Sequence, residues 1–175
     1  YFPQGVKVIG NFPYNISSQI FFKIIEHRNL IPECVGMIQR EVAQRICAAP
    51  GTAEYGAFSV YMQYYTEPEM LFTVPNTCFL PPPKVTSAVI HCPTRKEPPV
   101  QVKSEASLWR AVKAGFAQRR KTLVNSLQSG YPLPKDALAK AIAACGLPAD
   151  VRGEKLSLAD YAKLADALDE ALAAQ

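Results

Sequence analysis

The sequence has 175 residues, of which 49% are hydrophobic and 19% charged, with a formal net charge of +4. This length and apolar content suit one compact domain with a small appended one, and provide enough apolar residues for a core. No segment has the long apolar run of a membrane helix or the basic-then-apolar pattern of a signal peptide, so no membrane partner is expected.

The cysteine pattern argues against a metal site. Five cysteines are widely spaced, form no C-x-x-C pair and are accompanied by only two histidines. Structural zinc sites use paired ligands at short spacings, so no bound metal is predicted. An odd number of scattered cysteines is typical of buried, reduced thiols, and we therefore expect a cytoplasmic protein.

The first hundred residues predict an alternating α/β domain. Apolar runs predict strands at 6–9, 34–38, 70–74 and 87–92, and the patterns between them predict helices at 17–27, 41–47 and 58–65. Ser17 or Ser18 would cap the first helix. This alternation favours a parallel or mixed sheet covered by helices, and the proline run at 81–83 must be a stiff, extended connector.

From residue 103 onward the pattern is helical throughout. Ser104 and Ser157 are predicted N-caps, and breaks are expected at 130–134 and 146–148. A charged, proline-rich stretch at 95–99 precedes these helices and is typical of a linker. The sequence therefore predicts an α/β domain over residues 1–98 and a small all-helical domain over residues 103–175.

Positive charge is concentrated in one part of the chain. Between residues 100 and 131 there are six basic residues against Glu105 alone, whereas the charges elsewhere nearly cancel. The six are Lys103, Arg110, Lys113, Arg119, Arg120 and Lys121. Such an asymmetry indicates contact with a polyanion rather than a generally basic surface.

The tetrapeptide Asn11-Phe12-Pro13-Tyr14 directly follows the first apolar run, which is predicted to be a buried strand. In α/β sheets, ligands bind beyond the carboxyl ends of the strands. Pro13 stiffens the turn, and an amide oxygen, a backbone carbonyl and a flat ring could together hold a planar heterocycle that bears an amine. An ordinary Asn-x-Pro turn at the end of a strand accounts for the same residues.

A second candidate element is Phe79, which stands just before the proline run. A rigid backbone could present its ring at low entropic cost, and with Tyr14 it could sandwich one flipped base. Lys84 is close enough in sequence to meet the phosphate of that base. The alternative is that Phe79 packs into the core beneath the loop.

A third element is the basic block Arg119-Arg120-Lys121. On a predicted helix these cations fan over a broad arc, so at least two must face solvent or a ligand. Polar neighbours could also address phosphate or sugar oxygens, namely Gln118, Thr122, Asn125 and Ser126. A solvated helix face is the alternative, but the charge asymmetry favours a nucleic-acid surface.

Together these elements resemble the ribosomal RNA adenine N6,N6-dimethyltransferases, in particular the KsgA-type (RsmA) small-subunit group. The similarity spans almost the whole chain, through the segments 11–17, 39–45, 55–60, 79–89 and 118–127. The Gln-Arg-Arg-Lys-Thr-Leu sequence at 118–123 selects the small-subunit group. Phe12 replaces the usual leucine of the Asn-Leu-Pro-Tyr motif, which leaves its backbone carbonyl unchanged.

The resemblance implies an α/β fold, with a partial Rossmann-like class I methyltransferase sheet followed by a small all-helical C-terminal domain. It implies S-adenosylmethionine-dependent dimethylation of two adjacent adenosines in the 3′-terminal hairpin loop of small-subunit rRNA, during ribosome biogenesis. The targets are then loop bases, which suit extrusion because little pairing has to be broken.

The resemblance also assigns roles to residues. The Asn11 side-chain oxygen and the Phe12 carbonyl would accept the adenine N6 protons, and Tyr14 and Phe79 would stack on the base. Asn11 and Pro13 would touch the reactive end of the cofactor. The expected rRNA contacts are Lys84, Arg110, Lys113, Arg119, Arg120 and Lys121.

A cofactor element of the family is missing from the sequence. The cofactor domain of this family opens with a Gly-rich loop, and none lies upstream of Asn11. We therefore expect a C-terminal fragment of a longer methyltransferase that is inactive alone, with the first strand as an unpaired apolar edge that favours self-association. The alternative function is a non-catalytic RNA-binding or ribosome-assembly module, whereas a glutamine- or DNA-directed methyltransferase is disfavoured by the basic block.

Overall fold

The computed structural model describes residues 5–174, so the outer ends of the two predicted domains, at residues 1 and 175, lie outside it. Its strands are β1 (Val8–Asn11), β2 (Glu33–Gln39), β3 (Glu69–Val74) and β4 (Ser87–Pro93). Its α-helices are α1 (Ser17–Glu26), α2 (Arg40–Ile46), α3 (Ala57–Tyr65), α4 (Glu105–Gly115), α5 (Leu123–Leu127), α6 (Lys135–Ala144) and α7 (Leu158–Ala173).

The four strands form one mixed sheet in the order β1-β2-β4-β3. The β1 and β2 strands are parallel, whereas β4 runs antiparallel to both β2 and β3. The mixed sheet with helical cover is thus confirmed, and every predicted strand and helix up to residue 93 is present within two residues of its predicted position.

The first strand departs from its prediction. It begins at Val8 rather than residue 6 and includes Asn11, and the prediction that it is buried is wrong because Ile9 is 77% exposed. As an outer strand, β1 has only β2 beside it among the described strands of the sheet. Alternate side chains of a strand point to opposite faces, and only the face of Val8 and Gly10 is partly covered.

The first helix is amphipathic, as predicted, but its N-cap differs from the predicted Ser17 or Ser18. Phe21, Ile24 and Ile25 are buried on one face. The N-cap is Ile16, without a side-chain cap, and Ser17 is already helical. The Ser17 hydroxyl donates to the Tyr14 carbonyl at 3.3 Å, so its oxygen is turned back toward the turn rather than toward the helix amides.

Two compact units divide the chain. One contains the residues up to Ala48 and Tyr61–Pro99, and the other contains Ala49–Val60 and the residues from Val100. The sequence places segment 49–60 in the first domain, whereas here it belongs to the helical unit, in which the buried Tyr55 hydroxyl donates to the Leu156 carbonyl at 3.0 Å. The domain boundaries at 98 and 103 stay a prediction.

The helical unit confirms both predicted caps. The Ser104 hydroxyl accepts from the Ser107 amide, and Ser157 forms a reciprocal capping box with Asp160. Both predicted breaks fall between helices, but the expectation of helix throughout is wrong, since residues 116–122 are not helical.

A close backbone approach lies at the centre of the helical unit. Gly153 is buried, and a Cβ atom there would stand 2.7 Å from the Gly115 carbonyl carbon and 2.9 Å from the Tyr161 hydroxyl. That hydroxyl donates to the Gly153 carbonyl at 3.0 Å. Burial raises the pKa of Tyr161, so the phenol stays a neutral donor. Glycine at 153 therefore allows two backbone segments and one buried ring to meet.

Three findings concern membrane-spanning helices, metal sites and disulfide bonds. Between residues 5 and 174, no helix combines the length and apolar content needed to cross a bilayer. Over the same range, no three His, Cys, Asp or Glu side chains are grouped to hold a metal ion. The five cysteines are free thiols, and burial raises the pKa of Cys34 to about 12, which keeps that thiol protonated.

Candidate functional site

The predicted acceptor residues lie at one edge of the sheet. Asn11 ends β1, Gln39 ends β2 and Val74 ends β3, while Ser87 begins β4. Gln39 and Val74 both pair with Ser87 in the register, so these ends lie at a common edge. The loop of residues 75–86, which contains Phe79 and Lys84, joins β3 to β4 at this edge, which we call the acceptor edge.

Asn11 is the residue of the acceptor edge best placed to receive a ligand. It is exposed, and its backbone pairs with Met37 in the β1–β2 ladder. Its carboxamide has no hydrogen-bond partner among residues 5–174. A strand therefore fixes the backbone of Asn11 while its side-chain acceptor and donor remain available.

The side chain of Phe12 belongs to the core, whereas its backbone lies at the acceptor edge. Its side chain is only 7% exposed and meets the Phe21 ring edge-to-face at 5.7 Å between centroids. A Cβ atom at Gly36 would lie 2.6 Å from the Phe12 ring, so glycine is needed there to admit the ring. The Phe12 amide donates to the Met37 carbonyl at 3.0 Å, which leaves the Phe12 carbonyl as its chemically useful group at the acceptor edge.

Pro13 and Tyr14 complete the turn. Pro13 is exposed and its carbonyl accepts from the Ile16 amide at 3.2 Å. Tyr14 is half-buried, and its hydroxyl shares a hydrogen bond of 2.5 Å with the Ser87 hydroxyl. Because β2 lies between β1 and β4, this bond bridges two strand spacings, about 10 Å.

Ser87 contacts the candidate site residue Tyr14, and the sequence alone did not single it out. It is fully buried, and its hydroxyl fixes the position of the Tyr14 ring through the phenol oxygen. The available signal was a small polar residue at the first position of a strand whose next residues, Ala88 and Val89, are apolar. Its partner lies 73 residues earlier, which no local pattern reveals.

The loop with Phe79 is tied at its base. A short 3₁₀ turn spans Asn76–Cys78, and the Asn76 side-chain amide donates to the Pro83 carbonyl at 3.1 Å. Phe79 is extended and half-buried, and Lys84 is exposed. The ring of Phe79 is therefore outside the fully buried core, and its stacking on a base stays a prediction.

The basic block lies in a turn, so its prediction as part of a helix is wrong. The α4 helix ends at Gly115, and α5 begins only at Leu123. The cause is Ser126, whose buried hydroxyl donates to the Ala114 carbonyl at 2.6 Å and accepts from the Gln118 amide at 3.1 Å. That hydroxyl thereby ties the end of α4 to the turn, and it is not available to RNA as the sequence suggested.

Two of the predicted RNA-binding cations have structural partners. The Arg119 guanidinium donates to the Ala53 carbonyl at 2.7 Å. The Arg110 guanidinium lies 4.3 Å from the centre of the Tyr131 ring and donates to the Gly130 carbonyl at 2.9 Å. Both side chains remain exposed, so these contacts orient the guanidinium groups without removing them from solvent.

Three other cations of the helical unit are uncommitted. Lys113, Arg120 and Lys121 are exposed, and their charged groups have no hydrogen-bond or ion-pair partner in the described part of the chain. By contrast, Lys103, from the same basic stretch, is paired with Glu170 at 2.7 Å. The positive field of this stretch therefore comes mainly from the turn and the end of α4.

Comparison with known proteins identifies the family of this chain. The sequence model of the family described as "Ribosomal RNA adenine dimethylase" matches residues 3–170. "Ribosomal RNA small subunit methyltransferase A" of Bacillus mycoides (strain KBAB4) is 44% identical over 168 residues, which cover 94% of this chain and 58% of that protein. The protein of the same name from Bacillus anthracis (strain A0248) gives the same values. The chain thus spans less than two thirds of the length of these relatives.

Solved structures establish the fold. A dimethyladenosine transferase from Plasmodium falciparum is similar with a TM-score of 0.76 at 24% identity, covering 94% of this chain and 66% of that one. The 23S rRNA methyltransferase ErmE is similar with a TM-score of 0.69 at 24% identity, covering 95% and 66%. The predicted fold class, part of a Rossmann-like sheet followed by helices, is confirmed. The match of the family model and the identity to these relatives show that the chain belongs to the ribosomal RNA adenine dimethylase family.

Proposed function

We propose that this chain provides the acceptor-adenine site and an RNA-binding surface of an S-adenosylmethionine-dependent rRNA dimethyltransferase. Its target would be two adjacent adenosines in the 3′-terminal hairpin loop of small-subunit rRNA. The observation that carries the proposal is the acceptor edge, which contains an exposed Asn11 carboxamide without a hydrogen-bond partner among residues 5–174 and a Tyr14 ring anchored to Ser87. Membership of the family and the 44% identity to small-subunit methyltransferases support the choice of substrate.

The acceptor edge would have to make the adenine N6 amine, a poor nucleophile, reactive. The lone pair of an adenine N6 amine is delocalised into the ring. If the Asn11 side-chain oxygen and the Phe12 carbonyl accept hydrogen bonds from its two N–H groups, the lone pair turns out of conjugation with the ring. It can then attack the methyl group. The fixed backbone at Asn11 and Phe12 holds the Phe12 carbonyl and the base of the Asn11 side chain in place before the adenine arrives, which lowers the entropic part of the barrier.

Aromatic rings would hold the base and stabilise the charge that develops on nitrogen. Tyr14 offers a ring face whose position is set by the Ser87 bond, and Phe79 offers a second ring from the tied loop. No strong general base is required, because the ammonium product is acidic enough to release its proton. The site must also accept a secondary amine, because each adenine is methylated twice.

The residues present fit the reactive end of the cofactor. S-adenosylmethionine, when bound, supplies a methyl group on a sulfonium centre. Asn11 and Pro13 are exposed, uncharged and two residues apart at the acceptor edge, so they can approach a sulfonium without electrostatic repulsion. These two residues would hold that end, and the parts of the protein that hold its ribose and adenine are not assigned to this chain.

A second candidate function is a non-catalytic RNA-binding or ribosome-assembly module. The observation that favours it is the set of exposed cations Lys113, Arg120 and Lys121, which have no partner within residues 5–174 and need no methyl transfer to act. Both functions place the protein in the cytoplasm with assembling small ribosomal subunits. They differ in whether Asn11 is needed, which the first experiment of the Discussion decides.

We predict that Arg120→Ala and Lys121→Ala each weaken binding to a small-subunit rRNA hairpin and reduce its salt dependence. Each lost phosphate contact should lower the slope of log K against log salt by about 0.7–0.9. Fluorescence anisotropy at several salt concentrations measures this slope. Lys140→Ala, an exposed lysine on α6, is the matched control and should leave the slope unchanged. Equal slopes for all four proteins would contradict an RNA surface at the basic turn.

We also expect this chain to self-associate through β1. That strand is at one end of the sheet, and its Ile9 side chain is 77% exposed, which is typical of an edge that pairs with another chain. Light scattering of the wild type should show species larger than a monomer at high concentration, and Ile9→Lys should reduce them. A monomer at all concentrations would refute this expectation.

A further inference from the structure

A polar cleft beside the basic turn has no role in the chemistry described above. Its volume is about 450 Å³, within the range of ligand sites. It is lined by Gln118, Lys121, Asn125, Gln128 and Ser129. The lining thus combines one cation, three carboxamides and one hydroxyl, with no carboxylate.

The short α5 helix aligns this lining. Asn125 lies in α5 and Gln128, three residues later, is its C-cap residue with a helical backbone, so these two side chains share one face, and Ser129 follows in the turn. The opposite face holds Leu123, which is fully buried. Packing of that apolar face therefore fixes the direction in which the polar side chains point.

Several hydrogen-bonding groups of the cleft remain available. The Asn125 side-chain amide donates to the Thr122 hydroxyl at 2.9 Å, which leaves its oxygen and its second N–H group. The Ser129 hydroxyl donates to the Ser126 carbonyl at 2.7 Å and can still accept. The exposed Gln128 carboxamide has no hydrogen-bond partner within residues 5–174.

The composition of the lining indicates a part of a polymer rather than a free small molecule. Sites for small molecules are mostly apolar and enclose their ligand. Here all five lining residues are polar, and four of them are exposed. A carboxamide presents one donor and one acceptor, the pair that matches N6 and N7 of adenine. The Lys121 ammonium is a suitable contact for a phosphate at the same position.

We propose that this cleft binds one unpaired adenine nucleotide of an RNA strand. Lys121 contacts its phosphate, and the Gln128 and Asn125 carboxamides bind the edge of its base. The inference rests on the proposed RNA-binding function and deepens it, because it assigns base recognition to a surface otherwise expected to contact phosphate and sugar oxygens only. This nucleotide is distinct from the one methylated, since none of the cleft residues belongs to the acceptor edge.

The test compares the affinity of this chain for oligo(A) and oligo(U) ten nucleotides long, by fluorescence anisotropy at three salt concentrations. We expect the wild type to prefer oligo(A). Gln128→Ala should weaken oligo(A) binding about tenfold and remove the preference, because a bidentate base contact is lost. The salt slope should not change, because the residue is neutral and releases no counterion.

Two further variants separate the possible outcomes. Lys121→Ala should weaken binding to both oligomers equally and lower the salt slope by about 0.7. Gln101→Ala, an exposed glutamine outside the cleft, is the matched control and should match the wild type. Because Gln128 is exposed, its variant should have the same melting temperature as the wild type, which circular dichroism checks.

A Gln128→Ala variant that keeps the preference for oligo(A) would overturn the proposal that the cleft binds adenine, while the proposed RNA-binding function would stand. A wild type that binds both oligomers equally would do the same. A wild type that binds neither oligomer at any salt concentration would overturn the proposed RNA-binding function itself, and the cleft with it.

Discussion

In the proposed methyltransferase, Asn11→Ala is expected to lower kcat for rRNA methylation at least about a hundredfold, while the affinity for RNA stays within about twofold. The Asn11 carboxamide is exposed at the end of β1 and unpartnered within the described chain, so its removal costs the fold little. It would remove one of two acceptors that orient the N6 amine, leaving only the Phe12 carbonyl. Transfer of a radiolabelled methyl group to immature small subunits measures kcat.

The size of this effect follows from the role of positioning. Without the second acceptor, the lone pair of the amine is free to conjugate with the ring, and the reactive orientation becomes a minor one. Asn11→Gln should also be impaired, because one extra methylene displaces the amide while keeping its chemistry.

Asn29→Ala is the matched control for this experiment. It is an exposed asparagine in the turn after α1, outside the acceptor edge, and should retain full activity. If Asn11→Ala methylated at the wild-type rate, the acceptor site proposed here would be wrong and the non-catalytic RNA-binding function would be favoured. If instead both methylation and RNA binding fell together, Asn11 would be a general binding residue.

Gly153→Ala is expected to destabilise the helical unit by about 3 kcal/mol and lower its melting temperature by about 10 °C or more. The added Cβ would stand 2.7 Å from the Gly115 carbonyl carbon and 2.9 Å from the Tyr161 hydroxyl. The first of these neighbours is backbone and cannot rotate away. Moving the second would disturb the stacked Phe116 and Tyr161 rings, whose centroids are 5.7 Å apart. Thermal unfolding followed by circular dichroism gives the change.

Gly56→Ala is the control for this substitution. It adds the same methyl group in the same unit, at a site where no heavy atom lies within 4 Å of the new Cβ. Its cost should stay below about 1 kcal/mol. If the Gly153→Ala and Gly56→Ala proteins had the same melting temperature, the backbone segments at Gly115 and Gly153 would be able to separate without an energetic cost.

Local patterns were sufficient for the elements of the sheet unit. Short apolar runs predicted the four strands, and the apolar stripe of Phe21, Ile24 and Ile25 predicted α1, because its spacing matches the helical repeat. The caps Ser104 and Ser157 were also predictable, since a hydroxyl before a helix satisfies an amide within three residues.

The errors arose where a distant group changed a local preference. Residues 116–122 read as helix, but the buried Ser126 hydroxyl takes the Ala114 carbonyl and ends α4. Segment 49–60 groups with the helical unit, in which the Tyr55 hydroxyl donates to the Leu156 carbonyl, 101 residues away, and the domain bounds predicted at 98 and 103 stay a prediction. Such bonds stabilise a conformation that neither segment would adopt alone.

The sequence by itself determined the family, the mixed α/β sheet followed by helices, and the candidate residues Asn11, Tyr14 and Phe79, because these depend on short motifs and on periodicity. Only the tertiary structure decided that Phe12 is a core residue admitted by Gly36, and that Ser87 anchors Tyr14. It also decided that the basic block is a turn beside a polar cleft. These features depend on which groups meet across the fold, and close packing of residues distant in sequence fixes them.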